Sequence, residues 1–370
     1  MATLSVMMKP ASGSCDLRCR YCFYADESRN RETENYGQMS EQTLEQVVKK
    51  TLQYATDGCT FGFQGGEPTL RGLEFFRRFV ALEKKHNHRG VPVERAIQTN
   101  GMHLTQEWAT FFRRNHFLVG LSLDGGEAIH DRNRVDAGGQ GTFRRVMDAV
   151  ELLRSNEVDF NILCVVTEQN APHIEEIYRF FMEQGLVYQQ YIACLDPLGS
   201  QRGSQPYSLT PQTYGDFLIR LFDLWFADRM AGKFVFNRYF ENLAGLMLGR
   251  PNELCGMGAC APQLVVEADG SAYPCDFYML DDYRLGSFQA DTVPDMAQVW
   301  NRSAFAREAT MGLEACRSCP YGGLCRGGCR RDRQGVDLHR VGRNYFCPAY
   351  RRFFAHAIPR LQLMLSMQRG

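Results

Sequence analysis

The chain has no run of roughly eighteen consecutive apolar residues, so no segment reads as a membrane-spanning helix and no membrane partner is expected. Its start, Met1 to Val6, lacks the charged beginning, apolar stretch and small-residue cleavage site of a secretory leader. An excess of either charge is missing too, since Lys plus Arg and Asp plus Glu each number 42. Without a global positive field, a nucleic-acid partner is not expected. There is no repeat of fixed period and no low-complexity tract. These absences describe a cytoplasmic globular protein, and 370 residues suffice for one large core and a smaller module. What is plentiful is cysteine, fourteen in all. The cytosol keeps thiols reduced, so metal ligation accounts for them better than a disulfide framework.

Short β-branched or aromatic runs alternate with amphipathic stretches up to about Cys194, the pattern of a parallel sheet wrapped by helices. The expected strands are 4–8, 60–64, 95–99, 118–123, 160–166 and 188–193, with helices over 40–54, 70–86, 105–114, 141–156 and 171–184. Six such strands predict an α/β fold of the incomplete-barrel type. In such sheets ligands gather at the carboxyl ends of strands. The cysteine loop, Gly65-Gly66-Glu67-Pro68, Gln98-Thr99-Asn100-Gly101 and Ser122-Leu123-Asp124-Gly125 all follow strand ends. A Pro, Gly and Ser-rich linker or lid covers 195–208, and helices resume over 211–230 and 236–248. A hairpin is expected over 264–267 and 272–274, turning at Asp269-Gly270. The stretch 291–312 shows little pattern, and an amphipathic helix closes the chain over 349–367.

Cys15, Cys19 and Cys22 stand in a C-x3-C-x2-C spacing with no fourth thiol nearby. A cubic iron–sulfur cluster normally takes four thiolates, so three leave one iron open to another ligand. A zinc knuckle or three unrelated core thiols is the plain alternative. Eight further cysteines fall late in the chain: Cys255, Cys260, Cys275, Cys316, Cys319, Cys325, Cys329 and Cys347. Eight thiolates make two complete sites, iron–sulfur or zinc. Six arginines, Arg326, Arg330, Arg331, Arg333, Arg340 and Arg343, lie among the last of them and would offset cluster charge or form a solvated face. Cys59, Cys164 and Cys194 lie in or beside strands and read as small buried hydrophobes.

Several of these motifs together resemble one family. They are Lys9-Pro10-Ala11, Cys22-Phe23-Tyr24, Phe63-Gln64-Gly65-Gly66-Glu67-Pro68-Thr69-Leu70, Gln98-Thr99-Asn100-Gly101, Asn133-Arg134-Val135-Asp136 and Pro274-Cys275-Asp276-Phe277-Tyr278. The chain resembles the anaerobic sulfatase-maturating enzymes, which are radical S-adenosylmethionine enzymes. That resemblance implies a partial (β/α)6 radical SAM barrel over 1–235 and a cysteine-rich SPASM domain over 236–348. A helix over 349–370 would pack on the barrel.

The implied cofactors are S-adenosylmethionine and three [4Fe–4S] clusters. Cys15, Cys19 and Cys22 would hold the first cluster, Cys255, Cys260, Cys275 and Cys329 the second, and Cys316, Cys319, Cys325 and Cys347 the third. Tyr21, Gly65, Gly66, Glu67, Ser122, Arg134 and Leu195 would bind S-adenosylmethionine, an arginine fork suiting its carboxylate. Tyr24, Gln64 and Gln98 would hold the substrate, an unfolded or nascent sulfatase polypeptide, and Asp276 would be the catalytic base. The implied reaction is radical oxidation of a sulfatase cysteine or serine to Cα-formylglycine, fed by an external low-potential electron donor. Plainer roles stay open for single residues: a turn for the glycine pair, a solvated loop for Arg134, core packing for Tyr21 and Leu195, an Asx turn for Asp276. The rival functions are a radical maturase of ribosomal peptides, a non-catalytic iron–sulfur electron carrier and a zinc-binding interaction module.

Overall fold

The structure, a computed structural model, describes residues 3–257, 260, 263–309 and 311–367. Strands form where the apolar runs lie: β1 Thr3–Met8, β2 Gly58–Phe63, β3 Val93–Thr99, β4 Phe117–Ser122, β5 Phe160–Val166 and β6 Tyr188–Ala193. Between them are α1 Phe23–Arg29, α2 Glu41–Tyr54, α3 Leu73–His86, α4 Gln106–Arg114, α5 Glu127–Asn133, α6 Phe143–Ser155 and α7 Ile174–Glu183. Then follow α8 Pro211–Met230, β7 Phe236–Asn237, α9 Arg238–Met247, β8 Leu264–Val266, β9 Ser271–Tyr273, β10 Gly286–Ser287 and α10 Val293–Arg302. Short helical turns α11 Ala304–Glu308, α12 Glu314–Arg317 and α13 Gly322–Cys325 precede the long α14 Cys347–Met367.

Local chemistry sets the boundaries. Ser40 caps α2 by accepting from Thr43 N at 3.0 Å, and Thr210 caps α8 just before Pro211. The expected helix over 70–86 starts late, because Gly72 at φ +83° separates a 3₁₀ turn at Pro68–Arg71 from α3. That over 236–248 gives up its first two residues to β7, since Asn237 turns its side chain onto Tyr239 N and Phe240 N as a cap. Within the weakly patterned 291–312 stretch, Thr292 and Asp295 close a reciprocal capping box that starts α10.

The chain divides into two compact units. The first contains Met1–Ser122, Arg134–Phe160 and Pro262–Ala306. In it β1 to β4 run parallel, β8 adds to the other side of β1 in parallel, and β9 and β10 continue antiparallel. The registers Met8↔Phe63, Phe63↔Ile97 and Thr99↔Leu121 bring the strands' carboxyl ends to one edge. Lys9, Gln64, Asn100 and Ser122 therefore emerge side by side. Behind this sheet Phe61, Phe63, Phe76, Phe79, Phe112 and Phe117 are buried, with Phe63 edge-on to Phe76 and Phe79 at 4.9 Å each. Joining β8 to β1 carries Asp276, 267 residues away along the chain, and Cys275 before it back toward Lys9.

The second unit contains Leu123–Asn133, Asn161–Ala261 and Arg307–Gly370. In it β5, β6 and β7 are parallel, and α14 lies along α8. Gly215 permits that approach, because a Cβ there would come within 3.2 Å of Ala349 Cα. Beside it Tyr214 packs on Phe346 at 4.7 Å, and His356 bonds Asp223 at 2.6 Å.

Candidate active site

The loop after β1 folds on itself before presenting its thiols. Ser12 N bonds Lys9 O at 3.1 Å, Ser14 N bonds Ala11 O at 3.0 Å, and Cys22 N bonds Cys19 O at 3.2 Å. Its far side is tied to residues 134–136 by Arg18 N on Val135 O at 2.7 Å and by a bridge between Leu17 and Asp136. Against it sits the glycine pair, at φ +94° for Gly65 and +53° for Gly66. A Cβ on Gly66 would lie 2.2 Å from Ser14 O, and one on Gly65 would lie 2.1 Å from Lys9 Cδ. Gly66 is thus required by the backbone of the cysteine loop, and Gly65 by its positive φ beside the buried Lys9 side chain. Glu67 is buried, and its carboxylate accepts from Thr69 N, Thr69 Oγ1, Thr99 Oγ1 and Asn100 N at 2.7–3.0 Å. That side chain ties the end of β2 to the end of β3, a positioning role.

Cys15 and Cys19 are half-buried and Cys22 is exposed. Burial pushes the Cys15 thiol up to about 12, and the negative charges of Glu67, Asp16 and Cys19 add to the shift. Such a thiol gives up its proton to solvent when a strong Lewis acid such as a metal cation takes the proton's place on sulfur. Nearby, the Arg134 guanidinium stacks over the Tyr21 ring at 5.5 Å, and both are buried, as is Ser122 at the end of β4. Leu195 is half-buried after β6 and belongs to the second unit.

A second cluster in the same unit surrounds Asp276. Lys9, fully buried, pairs its ammonium with Asp276 Oδ1, and Gln64 Nε2 donates to Oδ2 at 2.9 Å. The same ammonium lies 4.6 Å above the Tyr24 ring. Tyr24 donates its hydroxyl to buried Glu267, which also accepts from Ser12 Oγ at 3.0 Å and pairs with Arg31 at 3.2 Å. Gln98, on β3, is half-buried and makes no side-chain hydrogen bond among the described residues. One participant carried no sequence signal. Glu27, on α1, is buried with Oε1 accepting from Met279 N, while Oε2 has no partner among the described residues. Burial and the Asp276 charge hold its carboxyl well above the usual range. Nothing in the sequence links Glu27 to a residue 252 positions away.

The late thiols gather in the second unit. Cys316, Cys319, Cys325 and Cys347 line one cavity of about 200 Å³ with Arg343, Asn344, Tyr350 and Phe354. The turn between Cys325 and Cys329 uses Gly327 at φ +84°, where a Cβ would strike Leu313 at 2.2 Å. Arg343 hydrogen-bonds the Cys347 thiol. Cys329, Cys255 and Cys260 form a second group: burial raises the Cys329 thiol, and Asp332, Cys255 and Cys260 raise it further. Cys275 lies in the first unit, its Sγ accepting from Phe277 N at 3.5 Å. Among the described residues no three His, Cys, Asp or Glu side chains are arranged to hold a single metal ion. A set of four thiols around one cavity, and a three-thiol loop closed over glycines, both match the all-sulfur donor chemistry of iron–sulfur centres.

Comparison with known proteins agrees with that chemistry. Residues 10–181 match the model of the radical SAM superfamily, and residues 255–326 match that of SPASM, an iron–sulfur cluster-binding domain. The cysteine-type anaerobic sulfatase-maturating enzyme of Clostridium perfringens is 46% identical over 362 residues, 98% of each chain. The serine-type enzyme of Bacteroides thetaiotaomicron is 30% identical over 379 residues, 98% of this chain and 91% of that one. The solved structure of native anSMEcpe with bound AdoMet and Cp18Cys peptide superimposes with a TM-score of 0.93 at 43% identity, covering 99% of this chain and 100% of that one.

Fold and site together define a radical SAM enzyme: a partial (β/α)6 barrel followed by a SPASM domain, binding S-adenosylmethionine and iron–sulfur centres. Within that class, the chain belongs to the anaerobic sulfatase-maturating enzymes.

Proposed function

We infer that this protein oxidises the active-site cysteine or serine of a type I sulfatase to Cα-formylglycine, with a preference for cysteine. The observation that carries the reading is the Asp276 carboxylate, one residue beyond a cluster thiol and held by Lys9 and Gln64. When bound, S-adenosylmethionine and three [4Fe–4S] clusters supply the one-electron chemistry: removal of a hydrogen atom from Cβ of the target and uptake of a second electron. The clusters would be held by Cys15, Cys19 and Cys22, by Cys255, Cys260, Cys275 and Cys329, and by Cys316, Cys319, Cys325 and Cys347. Everything else falls to the chain itself. Asp276 takes the side-chain proton of the target, and the Lys9 ammonium and the Gln64 amide keep both its oxygens aimed. After proton and electron have left, the target is a thioaldehyde from cysteine or an aldehyde from serine, and water converts the former to the aldehyde with release of hydrogen sulfide.

The Tyr24 phenol stays neutral beside the buried Glu267–Arg31 pair, because burial first and Glu267 second push it well above its usual range. Gln98, with its amide uncommitted, and Gln64 suit an extended backbone. The substrate is a sulfatase polypeptide that has not folded over its target residue, and electrons come from an external low-potential donor. Greater identity to the cysteine-type enzyme than to the serine-type one, 46% against 30%, supports the cysteine preference.

Anaerobic reconstitution followed by mass analysis of a Cys-x-Pro-x-Arg and a Ser-x-Ala-x-Arg peptide tests the proposal. The expected product is an aldehyde peptide, formed faster from cysteine. A crosslinked peptide without aldehyde would instead mark a maturase of ribosomal peptides, and absence of S-adenosylmethionine cleavage would leave an electron carrier.

A further inference from the structure

Helix α1 grows directly out of the cysteine loop. Cys22 is its N-terminal flanking residue, and Asp26 N bonds Cys22 O at 3.4 Å. With seven residues and no side-chain cap, the helix is too short to be stable by itself. What holds it is the turn that carries Cys275 and Asp276, remote in sequence but part of the same compact unit. That turn closes on itself through Tyr278 N on Cys275 O at 3.1 Å.

Two contacts join helix and turn. Phe23, the residue after Cys22, meets Phe277, the residue after Asp276, edge-on with ring centroids 4.9 Å apart. One helical turn further, Glu27 Oε1 accepts from Met279 N. Phe23 and Glu27 are four residues apart and so lie on one face of α1. Met279 is fully buried in a cluster with Tyr24, Val265 and Tyr273, against which Phe23 packs. Glu27 retains 1% of its surface, and Oε2 has no partner among the described residues. Burying a carboxyl is costly, and a single backbone bond offsets little of that cost. An apolar residue would suit the surroundings of Glu27 better, but it would leave the Met279 N–H without this acceptor.

We propose that α1 is the spacer between the radical-forming cysteine loop and the turn bearing the base, and that Glu27 is the polar pin docking it. The inference rests on the reading above that Asp276 takes the target's proton. Lys9 and Gln64 hold the carboxylate, whereas Glu27 and Phe23 hold the backbone beneath it. A base has to lie within about 2.6–3.2 Å of the proton it removes, and a misplacement of about 1 Å can cost on the order of 10²-fold. With the turn released, cofactor cleavage would continue while the target's proton stays in place, and the two events would uncouple. Glu27 is too buried to reach the peptide; it is a positioning residue acting through Met279.

The test counts 5′-deoxyadenosine and aldehyde in one assay, with reconstituted protein and the Cys-x-Pro-x-Arg peptide. Amide hydrogen exchange over 275–283 is followed by mass spectrometry on the same protein. Glu27→Ala should give about tenfold less aldehyde per 5′-deoxyadenosine, leave the peptide KM near the parent's and lose exchange protection around Met279. Glu27→Gln, whose amide oxygen accepts the same bond, should restore coupling and protection. Parent-like coupling in Glu27→Ala at full iron and sulfide content would overturn the proposal, as would a glutamine variant as uncoupled as the alanine one. Should Glu27→Ala not take up its clusters, Phe23→Leu serves in its place. It removes the ring contact and should uncouple several-fold; an unchanged ratio with unchanged exchange there would overturn the proposal too. A parent that makes no aldehyde removes the functional reading and the coupling role with it, whereas unaltered exchange in Glu27→Ala overturns the docking even where aldehyde is formed.

Discussion

The two thiol-bearing regions of this protein differ in the charges that act on their thiols. The charges that act on the Cys15 thiol include the carboxylates Glu67 and Asp16, which raise it further after burial has done so, while the Arg18 guanidinium is turned onto the Cys15 carbonyl at 2.7 Å. Around Cys260 and Cys316 they include arginines, Arg330, Arg333 and Arg343, which lower thiols that burial raises. A four-thiolate centre is a closed anion and is best kept beside fixed cations. A three-thiolate centre has to receive an additional ligand, and S-adenosylmethionine carries a sulfonium and an ammonium group. On the proposed reading, Glu67 and Asp16 would suit those cations and Arg134 the cofactor's carboxylate, whereas the second region sets its own arginines beside its thiols.

The sharpest way to break this contrast is to remove one thiol from each region. Cys15→Ala should abolish 5′-deoxyadenosine formation, whereas Cys347→Ala should retain it and lose aldehyde; equal loss of cleavage in both would erase the distinction. Asp276→Asn comes next. It should keep S-adenosylmethionine cleavage and lower aldehyde formation by about 10²–10⁴-fold, the ordinary worth of a general base. Unchanged aldehyde yield, read by mass spectrometry, would remove Asp276 from the mechanism.

Lys9→Met tests the only buried ammonium in that pocket among the described residues. It strands the Asp276 carboxylate, and denaturant unfolding should register a loss of about 3–5 kcal/mol. A variant as stable as the parent would mean that the pair is held by the surrounding fold alone. The smallest effect on stability is expected at Glu27. Its folded-state carboxyl lies above the unfolded value of 4.5, so the neutral form contributes stability that is complete below that pH and is lost as pH rises through the folded value. Glu27→Gln stays neutral throughout and should therefore gain on the parent as pH rises. Parallel stability curves for the two proteins would show that Glu27 ionises at no cost in the fold.

Much of the architecture was readable from the chain because its signals are local. Strand β5 begins and ends where the Phe160 to Val166 run does, and α8 begins at Pro211 after a threonine cap, since side-chain alternation and capping act within a few residues. Short helices were harder to read. The turn α1 follows Cys22 without a side-chain cap, and α10, despite its Thr292 and Asp295 box, is ten residues long and buries only Val293 and Met296, too short a pattern to stand out.

The sequence alone determined which chemistry is available: three thiols in one loop with none beside them, eight more toward the other end, and glycines where the backbone must take positive φ. Thiolate spacing and glycine's freedom are properties of short segments. Only the tertiary structure decided which charges meet. Lys9 reaches Asp276 across 267 residues because β8 pairs with β1, and Glu27 reaches Met279 across 252. It also decided that three arginines of one run would be buried and three exposed. A side chain's charge is written in its residue type, but the cost of keeping that charge, and the group that compensates it, depend on burial and on neighbours that only the folded chain brings together.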